Sequence, residues 1–293
     1  MKKISDLEQK VLENYQKVSP SKVDYNSKFD LDTLLKNRED IFLNKLKLPP
    51  SIFKNKKVLD FGCGTGEYSI FYAVNGAKLT LLDFNEISLK HLREIFRKKK
   101  LNKSIEKILN ISGLQWNPKS NEFDIVCSCG VLHHLDKPYI VLEKWIRSLK
   151  KNGILYFSIG TKESSIQREL MRKIIRKFCN NLEDSIDLSL ELFPTYIKRA
   201  SKYGGRKVDQ IVSDNFLTKL NYRFSLKEIF DFLRKKKIVI YNIYPNLRTN
   251  FDEPISVVKE RKKSWEEEID SDFYGYLNYS NEQILKKYNS IES

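Results

Sequence analysis

A turn with three glycines, Gly62, Gly64 and Gly66, directly follows an apolar run that predicts a buried strand. Glycine leaves no Cβ between the backbone and a ligand, and it permits unusual φ values. Asp83 ends a second apolar run about 20 residues later, where a carboxylate can accept hydrogen bonds from two neighbouring hydroxyls. The glycines and this carboxylate indicate a site for the polar part of a nucleotide-like ligand. Alternatively, Asp83 only caps the helix that follows.

His133 and His134 follow a further predicted strand, which contains Cys127 and Cys129. An imidazole titrates near neutral pH, so a histidine at this place suits a general base for a hydroxyl or amine. A metal site needs further ligands at suitable spacing, and the sequence offers none beside the pair, so we expect no metal. Both histidines are candidate catalytic residues. We predict that His133 is the base and that His134 packs or caps.

Strand-like apolar runs alternate with helical periodicity along most of the chain, which predicts an α/β fold. Seven strands are expected in a doubly wound, mostly parallel sheet with helices on both faces. The first five lie between residues 55 and 160, the sixth at 238–245 and the seventh at 255–258. The carboxyl ends of parallel strands meet at one edge of the sheet. The glycine turn, Asp83 and the histidines should therefore lie together.

The spacing of the glycine turn distinguishes it from two other glycine-rich loops. A dinucleotide fingerprint requires glycine where Glu67 stands, and a P-loop requires a final Gly-Lys-Ser/Thr, which is absent. The turn instead resembles motif I of the class I S-adenosylmethionine-dependent methyltransferases, a hydrophobic residue followed by Asp-x-Gly-x-Gly-x-Gly. The resemblance implies a Rossmann-like core and a cofactor cradle formed by Asp60, Gly62, Cys63, Gly64 and Gly66.

The second strand and the region after the third extend the resemblance. Asp83 stands where motif II of the family has its acid, which implies that it binds the cofactor ribose, with Phe84 beside the adenine. Many relatives carry an acidic residue after the third strand to hold the adenine amino group. The matching region of this sequence has no carboxylate, so the candidates that the resemblance leaves there are Ser112, Gly113 and Leu114.

The fourth strand and its histidines resemble the Phe-Asp-hydrophobic-Val and hydrophobic-His-His-Leu pattern of small-molecule methyltransferases. The likeness covers residues 55–160. It implies that Cys129 runs past the cofactor and that His133 or His134 faces the transferred methyl group. The implied reaction moves a methyl group from S-adenosylmethionine to an O, N or C nucleophile of a small metabolite, leaving S-adenosylhomocysteine.

The resemblance also divides the chain. Residues 1–49 are expected to be a helical segment that packs over the cofactor site, and 50–160 the cofactor-binding core. Residues 161–235 are expected to form an inserted helical cap, 236–262 the last strands, and 263–293 a tail. Caps of this kind close pockets and select substrates. The candidate substrate contacts, each with an alternative structural interpretation, are Tyr25, Asp214, Tyr222 and Arg223.

Composition sets the expectations about environment and partners. The 293 residues carry a formal charge of +15 and have a mean hydropathy of −0.49. The lysine clusters suit either a solvated basic surface or an anionic partner. No secretory signal or membrane-spanning run is visible, and the cysteines have no disulfide spacing. We therefore expect a cytoplasmic protein with reduced thiols.

Two other functions are compatible with parts of the sequence. The basic charge suits RNA methylation, but the motifs for methylating adenine amino groups or cytosine are absent, and no RNA-binding module is recognisable. The other alternative is a non-catalytic regulator that binds S-adenosylmethionine, against which the intact glycines and His133 speak. The sequence thus favours a small-molecule acceptor over nucleic acid, and it specifies neither that acceptor nor the oligomeric state.

Overall fold

Five parallel strands form one sheet in the residues that the structure, a computed structural model, describes: 5–18, 31–162, 165–204, 206–218 and 222–244. The strands are β1 (Lys57–Phe61), β2 (Lys78–Asp83), β3 (Ile105–Asn110), β4 (Phe123–Cys129) and β5 (Leu149–Ser158). Their order in the sheet is β3-β2-β1-β4-β5. Because the chain returns across β1 after β3, the crevice in which such sheets bind ligands lies between β1 and β4.

Helices α3 (Glu67–Val74), α4 (Glu86–Lys98) and α5 (Pro138–Ser148) connect the strands. At the start of α4, the side-chain oxygen of Asn85 accepts a hydrogen bond from the Ile87 amide at 3.1 Å. Helix α5 has Pro138 in its first turn, where a missing N–H leaves no hydrogen bond unmade. These local signals determine where α4 and α5 begin, beyond the carboxyl ends of β2 and β4.

The central strands are buried on both faces, as expected where helices cover a parallel sheet. In β1, Val58, Leu59 and Phe61 are at most 1% exposed. The ring of Phe61 lies 5.1 Å from that of Trp145 in α5. The interior around β1 therefore provides a rigid support for the residues that follow the strand.

Helices also flank the sheet in sequence. Before it come α1 (Asp6–Val18) and α2 (Leu31–Glu39), and after it come α6 (Ile166–Phe178), α7 (Leu182–Leu192), α8 (Pro194–Gly204) and α9 (Val208–Val212), which continues into the helical turn Ser213–Leu217. The later helices share a hydrophobic core of Met171, Ile175, Cys179, Ile197, Ile211, Val212 and Phe216. Asn14 of α1 donates to Thr218 Oγ1 at 3.2 Å and accepts from Ser213 Oγ at 2.9 Å. These hydrogen bonds join α1 to the later helices.

The prediction of seven strands is wrong for the described chain. Residues 238–244, most of the predicted sixth strand, adopt no strand, and the predicted seventh lies outside the described residues. Val239 and Tyr241 are 88% and 66% exposed, so these apolar side chains are not buried. A run of apolar residues becomes a strand only where another strand accepts its backbone hydrogen bonds. The sheet described has five strands.

Two element boundaries also differ from the sequence prediction. The apolar periodicity after Pro138 and the Asn-Gly pair at 152–153 predict a helix that reaches Lys151, but the helix ends at Ser148 and β5 begins at once with Leu149. Asn152 has a φ of +62° within this strand. The sequence also predicts a helix around residues 188–203, but this region belongs to two helices, α7 and α8, which meet at Phe193 and Pro194. Proline ends helices readily because its preceding residue disfavours helical backbone angles.

The chain divides into two units, of which the larger contains the sheet and comprises residues 1–43 and 48–224. The smaller comprises residues 44–47 and the chain from 225 onward. In its described part, α10 (Leu226–Lys235) begins with a capping box, in which the Ser225 amide donates to Glu228 Oε2 at 3.0 Å. None of the helices described in either unit has the length and apolar content needed to span a bilayer.

Candidate active site

A cavity of about 630 Å³ lies at the carboxyl ends of β1, β2 and β4. Its volume is within the range of small-molecule sites, roughly 300–1,000 Å³. Residues of α1, α2, α6 and α8 complete its wall. The structure brings together at this cavity many of the residues that the sequence predicted, namely Gly62, Gly64, Asp83, Phe84, Ser112, Gly113, Cys129, His133, His134 and Asp214.

The glycine turn packs too closely against the loop after β4 for any other residue. Gly62 has a φ of +72°, and a Cβ on it would lie 2.3 Å from Cγ2 of Val131. Its amide donates to the carbonyl of Leu82 at 2.7 Å, which ties the turn to the end of β2. Glycine is therefore required here both for the backbone angle and for space.

Asp83 uses both carboxylate oxygens to hold this arrangement. Oδ2 accepts from the Gly64 amide and Oδ1 from the Asn85 amide, each at 2.8 Å. Burial raises the pKa of Asp83, and these backbone hydrogen bonds oppose that increase. The carboxylate thus fixes the glycine turn relative to α4 and also lines the cavity.

The other predicted cofactor residues, Asp60, Cys63, Gly66 and Leu114, are not among the residues that line the cavity. Asp60 is buried and accepts a hydrogen bond from Ser69 Oγ of α3 at 2.5 Å. Burial raises the pKa of Asp60 to about 7. Gly66 has a φ of +91° and immediately precedes α3. In this structure Asp60 holds the start of α3 through Ser69, and Gly66 forms the junction between the turn and this helix.

The two histidines lie in a short helical turn after β4, and their surroundings differ. His133 is buried with no hydrogen-bond partner at Nδ1 among the described residues. Burial, followed by the charges of His134, Arg223 and Arg168, holds the pKa of His133 well below its usual value. The Nε2 atom of His134 lies 3.9 Å from Oδ1 of Asp214.

Asp214 is the centre of a polar network that the sequence did not reveal. It accepts from the Tyr15 hydroxyl at 3.0 Å and from Arg206 Nη1 at 2.9 Å. Burial alone would raise the pKa of Asp214, but the charges of His134 and Arg206 and these hydrogen bonds lower it. Asp214 is therefore ionised, and it can stabilise a positive charge on His134.

Several charged residues of the cavity wall were not predicted from the sequence, among them Arg38 and Glu8. Arg38 of α2 forms a salt bridge with Glu67 at 3.1 Å, and its guanidinium lies 4.0 Å from the ring centre of Tyr68. Glu8 of α1 is only 2% exposed and accepts from Ser112 Oγ at 2.9 Å. Both residues belong to helices that precede the sheet, where no motif marked them.

The four predicted substrate contacts lie in different places. Asp214 lines the cavity, whereas Tyr222 and Arg223 are not among its lining residues. The Tyr222 amide donates to the His133 carbonyl at 2.7 Å, and Arg223 Nη2 pairs with Glu169 Oε1 at 2.7 Å. These contacts position the histidine turn and α6. Tyr25 lies outside the described residues.

The thiols and acids of the described chain form no further reactive site. Cys63, Cys127, Cys129 and Cys179 are all free. Burial raises the pKa of Cys129 to about 12, so its thiol is protonated at neutral pH. No group of three or more His, Cys, Asp or Glu residues in the described ranges could hold a metal ion.

Known proteins resemble this chain over the sheet and the site. A protein-family model described as a methyltransferase domain matches residues 34–185, just over half of the chain. The ubiquinone biosynthesis O-methyltransferase of Glaesserella parasuis is 29% identical over 139 residues, 45% of this chain and 59% of that protein. Its mitochondrial namesake from Schizosaccharomyces pombe is 28% identical over 140 residues, 46% of either chain. The chain spans about half the length of these curated relatives.

A solved structure, PKMT2 from Rickettsia typhi, shares the fold, with a TM-score of 0.50 and 18% identity over 69% of this chain and 41% of that one. The residues that the family model matches include all five strands, the glycine turn, Asp83 and both histidines. The glycine turn follows β1, Asp83 ends β2 and the histidines follow β4, which is the order along the chain that the sequence motifs indicated. The chain therefore belongs to the class I S-adenosylmethionine-dependent methyltransferases.

Proposed function

We propose that this methyltransferase transfers the methyl group to a hydroxyl of a small molecule. The observation that carries the proposal is the placement of His134 beside the ionised Asp214, at the same cavity as the glycine turn and Asp83. An imidazole with a carboxylate partner suits removal of a hydroxyl proton. The curated relatives are named O-methyltransferases, which supports oxygen over nitrogen or carbon as the acceptor atom.

The residues at the cavity suit S-adenosylmethionine. More than half of the buried polar side-chain atoms that lack a partner in the described chain belong to residues that line this cavity. They include Glu8 Oε1, Asn85 Nδ2 and His133 Nδ1. A polar ligand would satisfy such atoms, whose desolvation is otherwise costly. Gly64 and Asp83 would hold the sugar side of the cofactor, and Phe84 would contact its base.

The helices after the sheet suit the role of a cap. Their own hydrophobic core makes them a folded layer, and Arg168, Tyr196 and Arg206 contribute to the cavity wall. A layer that covers the site excludes water and selects the acceptor by shape. α1 contributes in the same way, since Glu8, Val11 and Tyr15 line the cavity.

The proposed reaction requires a base that removes the proton of the acceptor hydroxyl. It also requires a pocket that aligns the acceptor oxygen with the methyl group and the sulfur. When bound, S-adenosylmethionine supplies a methyl group on a positively charged sulfur, already activated for attack. His134 would accept the proton of the acceptor hydroxyl, and Asp214 would stabilise the resulting imidazolium. The cavity walls would align the acceptor oxygen for in-line attack, an effect that can contribute about 7–11 kcal/mol at most.

The cofactor site is tested by calorimetry with S-adenosylhomocysteine. Asp83→Asn keeps the side-chain shape but removes the charge, so we expect binding to weaken about 10- to 100-fold, the effect of losing a charge-assisted hydrogen bond. The matched control is Asp124→Asn. Asp124 also accepts a backbone hydrogen bond, from the Lys57 amide at 2.8 Å, but does not line the cavity. Unchanged affinity in Asp83→Asn would refute the assignment.

The acceptor is sought with methyl-labelled cofactor and metabolite extracts. Mass spectrometry of the labelled products should show a methyl ether of a small molecule. Label on nitrogen or carbon would overturn the choice of oxygen. Tight cofactor binding without any labelled product would favour the non-catalytic alternative.

A further inference from the structure

The sheet order determines where the base of the cofactor must lie, given the proposed function on which this inference rests. Asp83, the ribose candidate, ends β2, and the histidines follow β4 on the other side of β1. The sulfur and its methyl group must point towards the histidines. Because base and sulfur are attached to opposite sides of the sugar, the adenine must extend the other way, to the end of β3.

Residues 111–116, the first part of the loop after β3, are firmly held but include no carboxylate. Lys144 Nζ donates to the carbonyls of Gly113, Leu114 and Trp116 at 3.1, 2.6 and 2.6 Å. Ser112 lies at the beginning of this loop and is buried. The loop therefore forms a fixed floor, and any negatively charged acceptor must come from elsewhere in the chain.

Glu8 of α1 supplies a carboxylate at this position. Its Oε2 accepts the Ser112 hydroxyl at 2.9 Å, across a separation of 104 residues. Its Oε1 is buried and makes no hydrogen bond of good geometry in the described chain, although the backbone amide of Asp136 lies close enough to the carboxyl group to lower its pKa, against the increase that burial causes. Glu8 lines the cavity together with Ser112, Ile111 and Phe84. A buried, half-satisfied carboxyl group is unfavourable unless a donor reaches the other oxygen.

We infer that Glu8 accepts a hydrogen bond from the exocyclic amino group of the cofactor adenine. Ser112 orients the carboxyl group through Oε2, which leaves Oε1 for the N–H of the base. The residue that reads adenine thus comes from α1 and not from the loop after β3. A second consequence is that α1 must be packed in place before the adenine subsite is complete.

Two ligands that differ only in their purine base test whether Glu8 contacts the adenine. S-adenosylhomocysteine has an amino group at position 6 of the purine, and S-inosylhomocysteine has a carbonyl oxygen there, which Glu8 would repel. By calorimetry, the wild-type full chain should bind the adenosyl ligand about 10- to 100-fold more tightly than the inosyl ligand. In Glu8→Gln the ratio of the two dissociation constants should fall at least about fivefold, because an amide can also donate to the carbonyl.

The ratio of the two dissociation constants distinguishes recognition of the purine base from a general disturbance of α1. A shift of the helix weakens both ligands and leaves the ratio unchanged, which would overturn the inference. Glu13→Gln is the matched control, since Glu13 is exposed on the same helix, bonds to Gln9 and does not line the cavity. We expect its ratio to equal that of the wild type.

The wild-type protein alone can also overturn the inference. Equal affinity for the two ligands, with Asp83→Asn still weakening both, would reject Glu8 as the adenine contact and leave the proposed function intact. Absence of binding by either ligand, or no effect of Asp83→Asn, would instead reject the cofactor site on which the inference rests.

Discussion

Two adjacent histidines differ in chemistry because only one of them faces a carboxylate. The low pKa of His133 keeps its imidazole neutral at physiological pH. His134 has Asp214 at 3.9 Å, and Tyr15 and Arg206 hold that carboxylate in place. A base must stabilise the proton that it accepts, and a neighbouring carboxylate does so. We therefore propose His134 as the base, in place of His133, which the sequence pattern favoured.

At the residue scale, this proposal predicts distinct pH profiles. His134→Gln should lower kcat about 100- to 10,000-fold, the usual contribution of a general base. Asp214→Asn should move the acidic limb of the kcat/KM profile to lower pH. Loss of the carboxylate disfavours the protonated imidazole, so the base is available at lower pH than in the wild type.

His133→Gln is the comparison variant for these measurements. Because the low pKa of His133 keeps its imidazole neutral at physiological pH, its replacement should not shift the acidic limb of the kcat/KM profile. A large loss of kcat in His133→Gln, with His134→Gln nearly as active as the wild type, would reverse the assignment. Thermal melts of each variant identify losses of rate that come from unfolding.

At the element scale, the turn between β1 and α3 depends on glycine for two separable reasons. Gly62 and Gly130 both have a φ of +72°, but a Cβ at Gly62 would overlap Val131, whereas nothing lies within 4 Å of one at Gly130. Alanine at either position costs about 1–2 kcal/mol for the left-handed backbone. Gly62→Ala should cost about 1–3 kcal/mol more, because Val131 has to move.

Urea denaturation of the two variants measures this difference in the free energy of unfolding. Gly130→Ala serves as the control for the backbone term alone. Equal losses of unfolding free energy in the two variants would show that Val131 moves away without an energetic cost. Only the backbone angle would then require glycine at position 62.

Elements remote in sequence assemble the rest of the site. Asn14 and Tyr15 of α1 bond to the segment Ser213–Thr218, about two hundred residues away. Glu8 of the same helix bonds to Ser112 after β3. α1 therefore links the proposed adenine side of the cavity to the proposed acceptor side. A disturbance of this one helix should affect both.

At the scale of the whole molecule, the charge of +15 is the one property that favours a nucleic-acid partner. A protein that contacts several phosphates loses about 10³- to 10⁵-fold in affinity between 50 and 200 mM salt. Because we propose a small-molecule acceptor, we expect no RNA binding at about 50 mM salt and no methyl transfer to RNA. Filter binding across a salt series checks the first, and labelled cofactor checks the second. A steep fall of RNA binding with salt would revive the nucleic-acid alternative.

Sequence patterns were enough to predict the parallel core, the glycine turn and the place of Asp83 and the histidine pair at the cavity. These features depend on local patterns, since a strand, its turn and the next helix are specified by residues close together in the chain. The same local reasoning failed at residues 238–244, where an apolar run pairs with no strand in the part of the chain that the structure describes. Pairing is a property of two segments, and one segment does not reveal it.

Which distant residues meet at the cavity depends on how the helices pack in three dimensions. Glu8 and Tyr15 of α1 and Arg38 of α2 line it, and Asp214 lines it from the helices that follow the sheet. An apolar stripe on a helix does not specify which element it packs against. Periodicity therefore predicted the helices but not their neighbours. The partner of His134 and the carboxylate beside Ser112 follow from that packing.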